Sequence, residues 1–202
     1  MAQQKHGSQQ VRIIGGKFRG RKLHFNGDAS LRPTLGRTRE TLFNWLRGYI
    51  ADSVCLDAFA GSGILGFEAL SQGAAKVYFV EQNHRTLKSL AAARQALNAQ
   101  ASCTVESGDV LHYLEGANLP VFDVVFLDPP FDQPQLLNDA MMLLASKKLV
   151  RHYVYAEARQ TALLETVSAV ANFTIVKQTS AGDTAAVLMA PHPDIAASQS
   201  QG

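Results

Sequence analysis

From residue 53 onward, short apolar runs alternate with longer segments whose apolar positions recur at helical spacing. This pattern predicts strands at 54–59, 76–81, 102–107, 121–128, 150–157, 173–179 and 184–190. Helices are expected at 64–72, 84–99, 110–115, 133–145 and 160–170. The run Phe122-Asp123-Val124-Val125-Phe126-Leu127 is almost continuously apolar, as in a parallel sheet covered on both faces. Strand–helix alternation then implies a doubly wound α/β sheet. The last two strands are joined only by Ser180-Ala181-Gly182-Asp183, which suits an antiparallel hairpin at the sheet edge. A seven-stranded, mostly parallel sheet ending in such a hairpin is the Rossmann-like architecture of class I methyltransferases, and that fold is expected here.

The first fifty residues follow a different pattern. Residues 11–25 read as a β-hairpin, with strands at 11–14 and 21–25 and a short extended piece at 17–19 between glycines. Arg32-Pro33-Thr34 should be extended, because a residue before proline avoids the helical region. Thr38 is a candidate cap for a helix reaching about Ile50, with Leu42, Trp45, Leu46 and Tyr49 on its buried face. The expected organisation is a disordered 1–10, a basic hairpin-and-helix unit at 11–50, a catalytic domain at 51–190 and a disordered tail at 191–202.

Composition narrows the class. Hydrophobic residues make up 47% of the 202, enough for a full core. No apolar run approaches the length needed to span a bilayer, and residues 1–10 lack the apolar centre of a secretory signal. Cys55 and Cys103 sit in apolar strands and read as reduced core residues, with no Cys/His spacing for a metal. A cytoplasmic, membrane-free, metal-free protein is expected, with nothing demanding more than a monomer. The net charge of +2 conceals an asymmetry: residues 1–47 hold ten Lys/Arg against two Asp/Glu, while the rest hold nine against fifteen. Arg12, Lys17, Arg19, Arg21, Lys22, Arg32, Arg37 and Arg39 form a candidate RNA-contacting set. A solvated basic extension, local pairing of Arg39 with Glu40, or a lid role for Thr34 and Arg39 would fit the same residues.

Two motifs carry chemistry. Asp57-Ala58-Phe59-Ala60-Gly61-Ser62-Gly63-Ile64-Leu65-Gly66 joins the first sheet strand to a helix through Gly-x-Gly-x-x-Gly, where a ligand can approach bare backbone. Glu81, followed by Gln82, ends the next strand and suits ribose hydroxyls. Asp109, followed by Val110, ends the third and could face an adenine amine or cap a helix. NAD and S-adenosylmethionine both satisfy these features. A carboxylate at Asp57 would repel a pyrophosphate and suits the cationic methionine end of S-adenosylmethionine. The expected cofactor-binding set is therefore Asp57, Phe59, Ala60, Gly61, Ser62, Gly63, Glu81, Gln82, Asp109 and Val110.

The second motif, Asp128-Pro129-Pro130-Phe131, ends the fourth sheet strand. Its prolines remove two N–H donors and should leave outward carbonyl acceptors beside the Asp128 carboxylate. Such acceptors can draw an exocyclic base amine out of conjugation, while Phe131 offers a stacking face. These four residues are the expected catalytic set.

These residues resemble the RsmD-type methyltransferases of bacterial small-subunit ribosomal RNA. The resemblance spans roughly 11–190. Its distinguishing parts are Arg12-Ile13-Ile14-Gly15-Gly16, Arg19-Gly20-Arg21-Lys22-Leu23, Arg32-Pro33-Thr34 and Arg37-Thr38-Arg39-Glu40-Thr41-Leu42-Phe43-Asn44. It implies S-adenosylmethionine as cofactor near Gly61, Glu81 and Asp109, and catalysis at Asp128–Phe131. It further implies methylation of guanine N2 in 16S RNA, within an assembled or assembling 30S particle. The residues themselves leave other functions open: adenine-N6 methylation of DNA or RNA, a non-catalytic assembly factor that keeps the fold, and an NAD-dependent oxidoreductase.

Overall fold

The computed structural model describes residues 9–25 and 34–192. Its sheet strands are β3 (Val54–Asp57), β4 (Lys76–Glu81), β5 (Cys103–Ser107), β6 (Phe122–Leu127), β7 (Val150–Ala158), β8 (Phe173–Ala181) and β9 (Thr184–Pro191). They form one seven-stranded sheet in the order β5-β4-β3-β6-β7-β9-β8. All neighbours are parallel except β7–β9 and β8–β9, so the sheet ends in the antiparallel hairpin expected from the short 180–183 link. The class I methyltransferase fold is therefore present as read from the sequence.

Alternation along the strands sorts the core into two layers. Cys55, Val77, Phe79, Val124, Phe126 and Tyr155 face α1 (Thr34–Trp45), α2 (Ile64–Ser71) and α3 (His84–Ala96). Leu56, Val80, Val125, Leu127, Val154 and Ala156 face α4 (Val110–Glu115), α5 (Pro134–Ser146) and α6 (Thr161–Val170). The chain fills one side of β3 with β4 and β5, then returns to its other side with β6. That reversal opens a crevice at the carboxyl ends of β3 and β6, where ligands bind in open α/β sheets.

The N-terminal hairpin is shorter than expected. Strands β1 (Gln9–Arg12) and β2 (Lys22–Phe25) pair antiparallel, with Val11 opposite Leu23. Ile13, Ile14 and residues 17–19 are not strand but part of a folded loop: Ile13 still bonds across to Arg21 and Gly20, while Ile14, Lys17 and Phe18 donate to Glu68 and Ser71 of α2. Helix α1 begins at Thr34, four residues before the expected Thr38, and its buried residues are Arg39, Leu42 and Phe43, with Leu46 just past its end. Tyr49 lies beyond the helix and is 42% exposed, its ring edge-on to Tyr153 at 4.8 Å. These N-terminal elements have no core of their own: Val11, Ile13, Leu23, Phe25 and Leu42 share one cluster with Phe67 and Leu90. Of the termini expected to be disordered, Gln9 and Gln10 lie in β1 and Pro191 in β9; residues 1–8 and 193–202 lie outside the described residues. Among the described residues, no helix is long and apolar enough to cross a membrane.

Candidate cofactor and acceptor site

The glycine loop follows β3 and is built by hydrogen bonds from its own flanks. Ala60 N–H donates to the Val80 carbonyl at 3.0 Å and Gly63 N–H to the Ala60 carbonyl at 2.6 Å, closing a tight turn into α2. Its glycines do different work. A β-carbon at Gly66 would sit 2.3 Å from the Phe79 ring, so this glycine lets α2 lie against β4. A β-carbon at Gly63 would sit 2.5 Å from Leu90. At Gly61 it would meet only the Phe59 carbonyl, at 3.8 Å, so this stretch of backbone alone stands open to a ligand.

Two carboxylates hold the loop, and a third stands beyond the end of β5. Asp57 is 3% exposed and accepts from Gly66 N–H at 2.9 Å. Burial pushes its carboxyl up to about 7, offset in part by the Gly66 bond and reinforced by the nearby Glu81 charge. Asp57 thus anchors the loop from beneath. Glu81 accepts from Gly61 N–H at 2.9 Å and from Asn83 N–H at 2.7 Å. A carboxylate has about four lone-pair sites, so acceptor capacity remains. Asp109 is exposed and caps α4, accepting from Leu111 and His112 N–H at 2.8 and 3.1 Å. The capping alternative for this residue is realised, and its side chain still stands at the sheet's ligand edge. Phe59, Ser62 and Gln82 reach solvent around the loop, while Ala60, Gly63 and Val110 are buried beneath it. An open glycine backbone flanked by carboxylates fits a nucleoside with a cationic tail, and a pyrophosphate fits it poorly.

Asp128-Pro129-Pro130-Phe131 extends from β6 on the same edge. Asp128 and Phe131 are partly exposed, Pro129 is buried and Pro130 is exposed. The expectation that both proline carbonyls point outward needs correction: Pro130 accepts from Gln133 N–H at 3.0 Å, because the loop turns there into α5. Arg159 lies over the Phe131 ring at 5.7 Å. A cavity of about 300 Å³ opens between this loop and the end of β7.

The basic set divides. Arg12, Lys17, Arg19, Arg21, Lys22 and Arg37 are exposed, although Arg21 also donates to the Ala96 carbonyl at the end of α3. Arg32 lies outside the described residues. Arg39 is withdrawn from the surface: it is 5% exposed, donates to the Arg12 carbonyl at 2.8 Å and pairs with the fully buried Glu68. It therefore belongs to the interior rather than to an RNA-contacting face, and it pairs with Glu68, not with Glu40.

Glu68, Tyr155, Glu157 and Arg159 were not singled out from the sequence. Glu68 had a visible signal, as the one acidic residue in the apolar stretch Ile64–Ser71. Glu157 continued the series of acidic strand ends begun by Asp57, Glu81 and Asp128.

Fold and loop together define a class I methyltransferase. The family described as Conserved hypothetical protein 95 matches residues 11–190. Ribosomal RNA small subunit methyltransferase D of Haemophilus influenzae is 41% identical over 181 residues, covering 86% of this chain and 90% of the relative. The Escherichia coli K12 protein of the same name is 39% identical, with 89% of each covered. The chain belongs to this methyltransferase D family. The solved structure of Escherichia coli yhhF superposes with a TM-score of 0.79 at 37% identity, covering 91% of this chain and 99% of that one. Magnesium protoporphyrin IX methyltransferase from Synechocystis, solved with SAH bound, shares the fold alone, at 15% identity and TM-score 0.61, covering 82% of this chain and 90% of that one.

Proposed function

We propose that this protein transfers a methyl group from S-adenosylmethionine to the exocyclic N2 amine of a guanine in small-subunit ribosomal RNA. The observation that carries the reading is the placement of Asp128-Pro129-Pro130-Phe131 beside the open Gly61 backbone, across the crevice between β3 and β6. The family's ribosomal RNA names and the exposed basic residues of the hairpin support the choice of RNA. An assembled or assembling 30S particle is the proposed partner, and the protein acts as a monomer in the cytoplasm.

When bound, S-adenosylmethionine supplies an electrophilic methyl carbon on a cationic sulfur. Gly61 would admit it closely, Glu81 would accept from its ribose hydroxyls and Asp109 would face its adenine, while Asp57 anchors the loop that would hold its methionine end. A base amine is a poor nucleophile because its lone pair is shared with the ring. Asp128 and the Pro129 carbonyl accept its hydrogens, turning the lone pair outward, while the Phe131 side chain packs against the ring. The nitrogen would become cationic as it gains the methyl carbon and the carbon–sulfur bond breaks, sulfur leaving as a neutral thioether, and the Asp128 carboxylate would stabilise that charge. The extra proton leaves afterwards, to Asp128 or to water. Positioning supplies most of the acceleration.

Asp128→Ala tests this reading. Turnover should fall by at least about a hundredfold, the scale of losing one preorganised electrostatic group. Affinity for S-adenosylmethionine, measured by calorimetry, should stay within about twofold. Equal losses in both would place Asp128 in the cofactor site instead.

A further inference from the structure

The carboxyl end of β7 holds a second carboxylate that the reaction described above does not use. Strands β6 and β7 are parallel, and their last paired residues are Leu127 and Ala156. Asp128 directly follows β6 and Glu157 is the next residue of β7, so both lie at the ligand edge, and the Asp128 and Glu157 charges both act on Tyr155. Phe126 and Tyr155, two residues earlier, both face the layer of α1 to α3, so by alternation Asp128 and Glu157 rise on that same side. Beneath them the buried Tyr155 phenol donates to Glu157 Oε1 at 2.5 Å. Burial and the charges of Glu157 and Asp128 hold the Tyr155 hydroxyl well above its ordinary range, so it remains a donor. Glu157 is partly exposed and lines the cavity of about 300 Å³ together with Phe131 and Arg159.

An ionised carboxylate only accepts hydrogen bonds. The pairing edge of guanine offers two adjacent donors, N1–H and the N2 amine, beside the O6 acceptor. Adenine offers an acceptor at N1. We propose that Glu157 reads the pairing edge of the target guanine, accepting N1–H while Asp128 accepts from N2; this rests on the guanine reading above. Arg159, over Phe131 at the same opening, has the N–H donors that complement O6. A base with an acceptor at N1 meets lone pair against lone pair at Glu157 and is rejected. Specificity then resides at the end of β7, and the amine chemistry at the end of β6.

The test uses small-subunit RNA, splint-ligated with either guanine or 2-aminopurine at the methylated position and assembled with ribosomal proteins. 2-Aminopurine keeps the N2 amine but lacks N1–H and O6. Wild type should prefer guanine in kcat/KM by about 10–100-fold, the usual worth of a two-point base contact. Glu157→Gln can donate to N1, and it should narrow that preference by about tenfold. Glu157→Asp, which keeps the carboxylate, should retain the preference at a lower rate. Affinity for S-adenosylmethionine should be unchanged in both variants. If wild type labels guanine and Glu157→Gln keeps the same ratio, Glu157 does not read the base. Loss of cofactor affinity matching the loss of rate would make its role structural and also overturn the proposal. If wild type labels neither base, the guanine-N2 reading itself fails.

Discussion

Arg39 Nε lies 3.7 Å from Glu68 Oε2, and both side chains are inside the protein, at 5% and 0% exposure. Glu68 also accepts from Ile14 and Gly15 N–H at 2.9 and 2.7 Å. Burial pulls the Arg39 pKa down and Glu68 pushes it back up. One carboxylate on α2 therefore holds both the basic hairpin and α1. Ser71, one turn further along, completes the latch: its hydroxyl accepts from Phe18 N–H at 2.8 Å and donates to the Gly15 carbonyl at 2.5 Å. Helix α2 starts at the glycine loop, so the hairpin and the cofactor loop are mounted on the same rigid element.

Glu68→Ala should cost about 3–5 kcal/mol, because it strands a buried cation and two backbone donors. Arg39→Met should cost a similar amount, and the double variant less than the two singles added together. Urea unfolding of the four proteins gives the cycle. Strict additivity would mean that the pair does not interact.

Gly66→Ala and Gly61→Ala should separate packing from ligand approach. A methyl at Gly66 pushes on Phe79, and overpacking of this kind costs about 1–3 kcal/mol of stability. A methyl at Gly61 finds room but is forced into the left-handed region at φ 52°, a strain of about 1–2 kcal/mol. It also occupies the open face of the loop, so Gly61→Ala should weaken S-adenosylmethionine more than Gly66→Ala does. Calorimetric titration beside thermal unfolding would show the crossover; parallel losses would contradict it.

Asp57 makes the protein sensitive to pH. Its folded carboxyl titrates at about 7 against an ordinary 3.8, so between these values the folded chain keeps a proton that the unfolded chain has lost. Its contribution to stability is therefore full below about pH 3.8 and is lost as pH rises through about 7. Asp57→Asn can still accept from Gly66 and cannot titrate. The wild-type melting temperature should fall relative to Asp57→Asn as pH rises from about 4 to about 7, and a constant difference would contradict the assignment.

The basic face should act through Arg19 and not through Arg39. Arg19→Ala should reduce the salt slope of RNA binding by about 0.7–0.9, as for one lost phosphate contact. Arg39→Met should leave the slope unchanged in whatever protein remains folded. Filter binding across salt concentrations reads both.

How much of this was legible in the sequence followed from where periodicity governs. Strand–helix alternation located every element of the sheet to within a few residues, because central strands such as β6 bury both faces while helices such as α5 and α6 bury one. The hairpin was misjudged because its loop backbone bonds sideways to Glu68 and Ser71, a tertiary contact with no local pattern. Arg39 was misplaced for the same reason, since a guanidinium paired inside reads like any other basic residue. The glycine loop and Asp128–Phe131 were visible as motifs. The division of labour among Gly61, Gly63 and Gly66 needed the neighbouring Leu90 and Phe79, which lie on other elements.

Methyl transfer to guanine N2 can be measured on small ribosomal subunits from cells lacking this protein. They would be incubated with the purified chain and isotope-labelled S-adenosylmethionine, and the RNA digested to nucleosides for mass spectrometry. Label should appear in N2-methylguanosine from small-subunit RNA, at a rate at least about a hundredfold lower with Asp128→Ala. Label in N6-methyladenosine, or none from subunits and assembly intermediates alike, would contradict transfer to guanine N2.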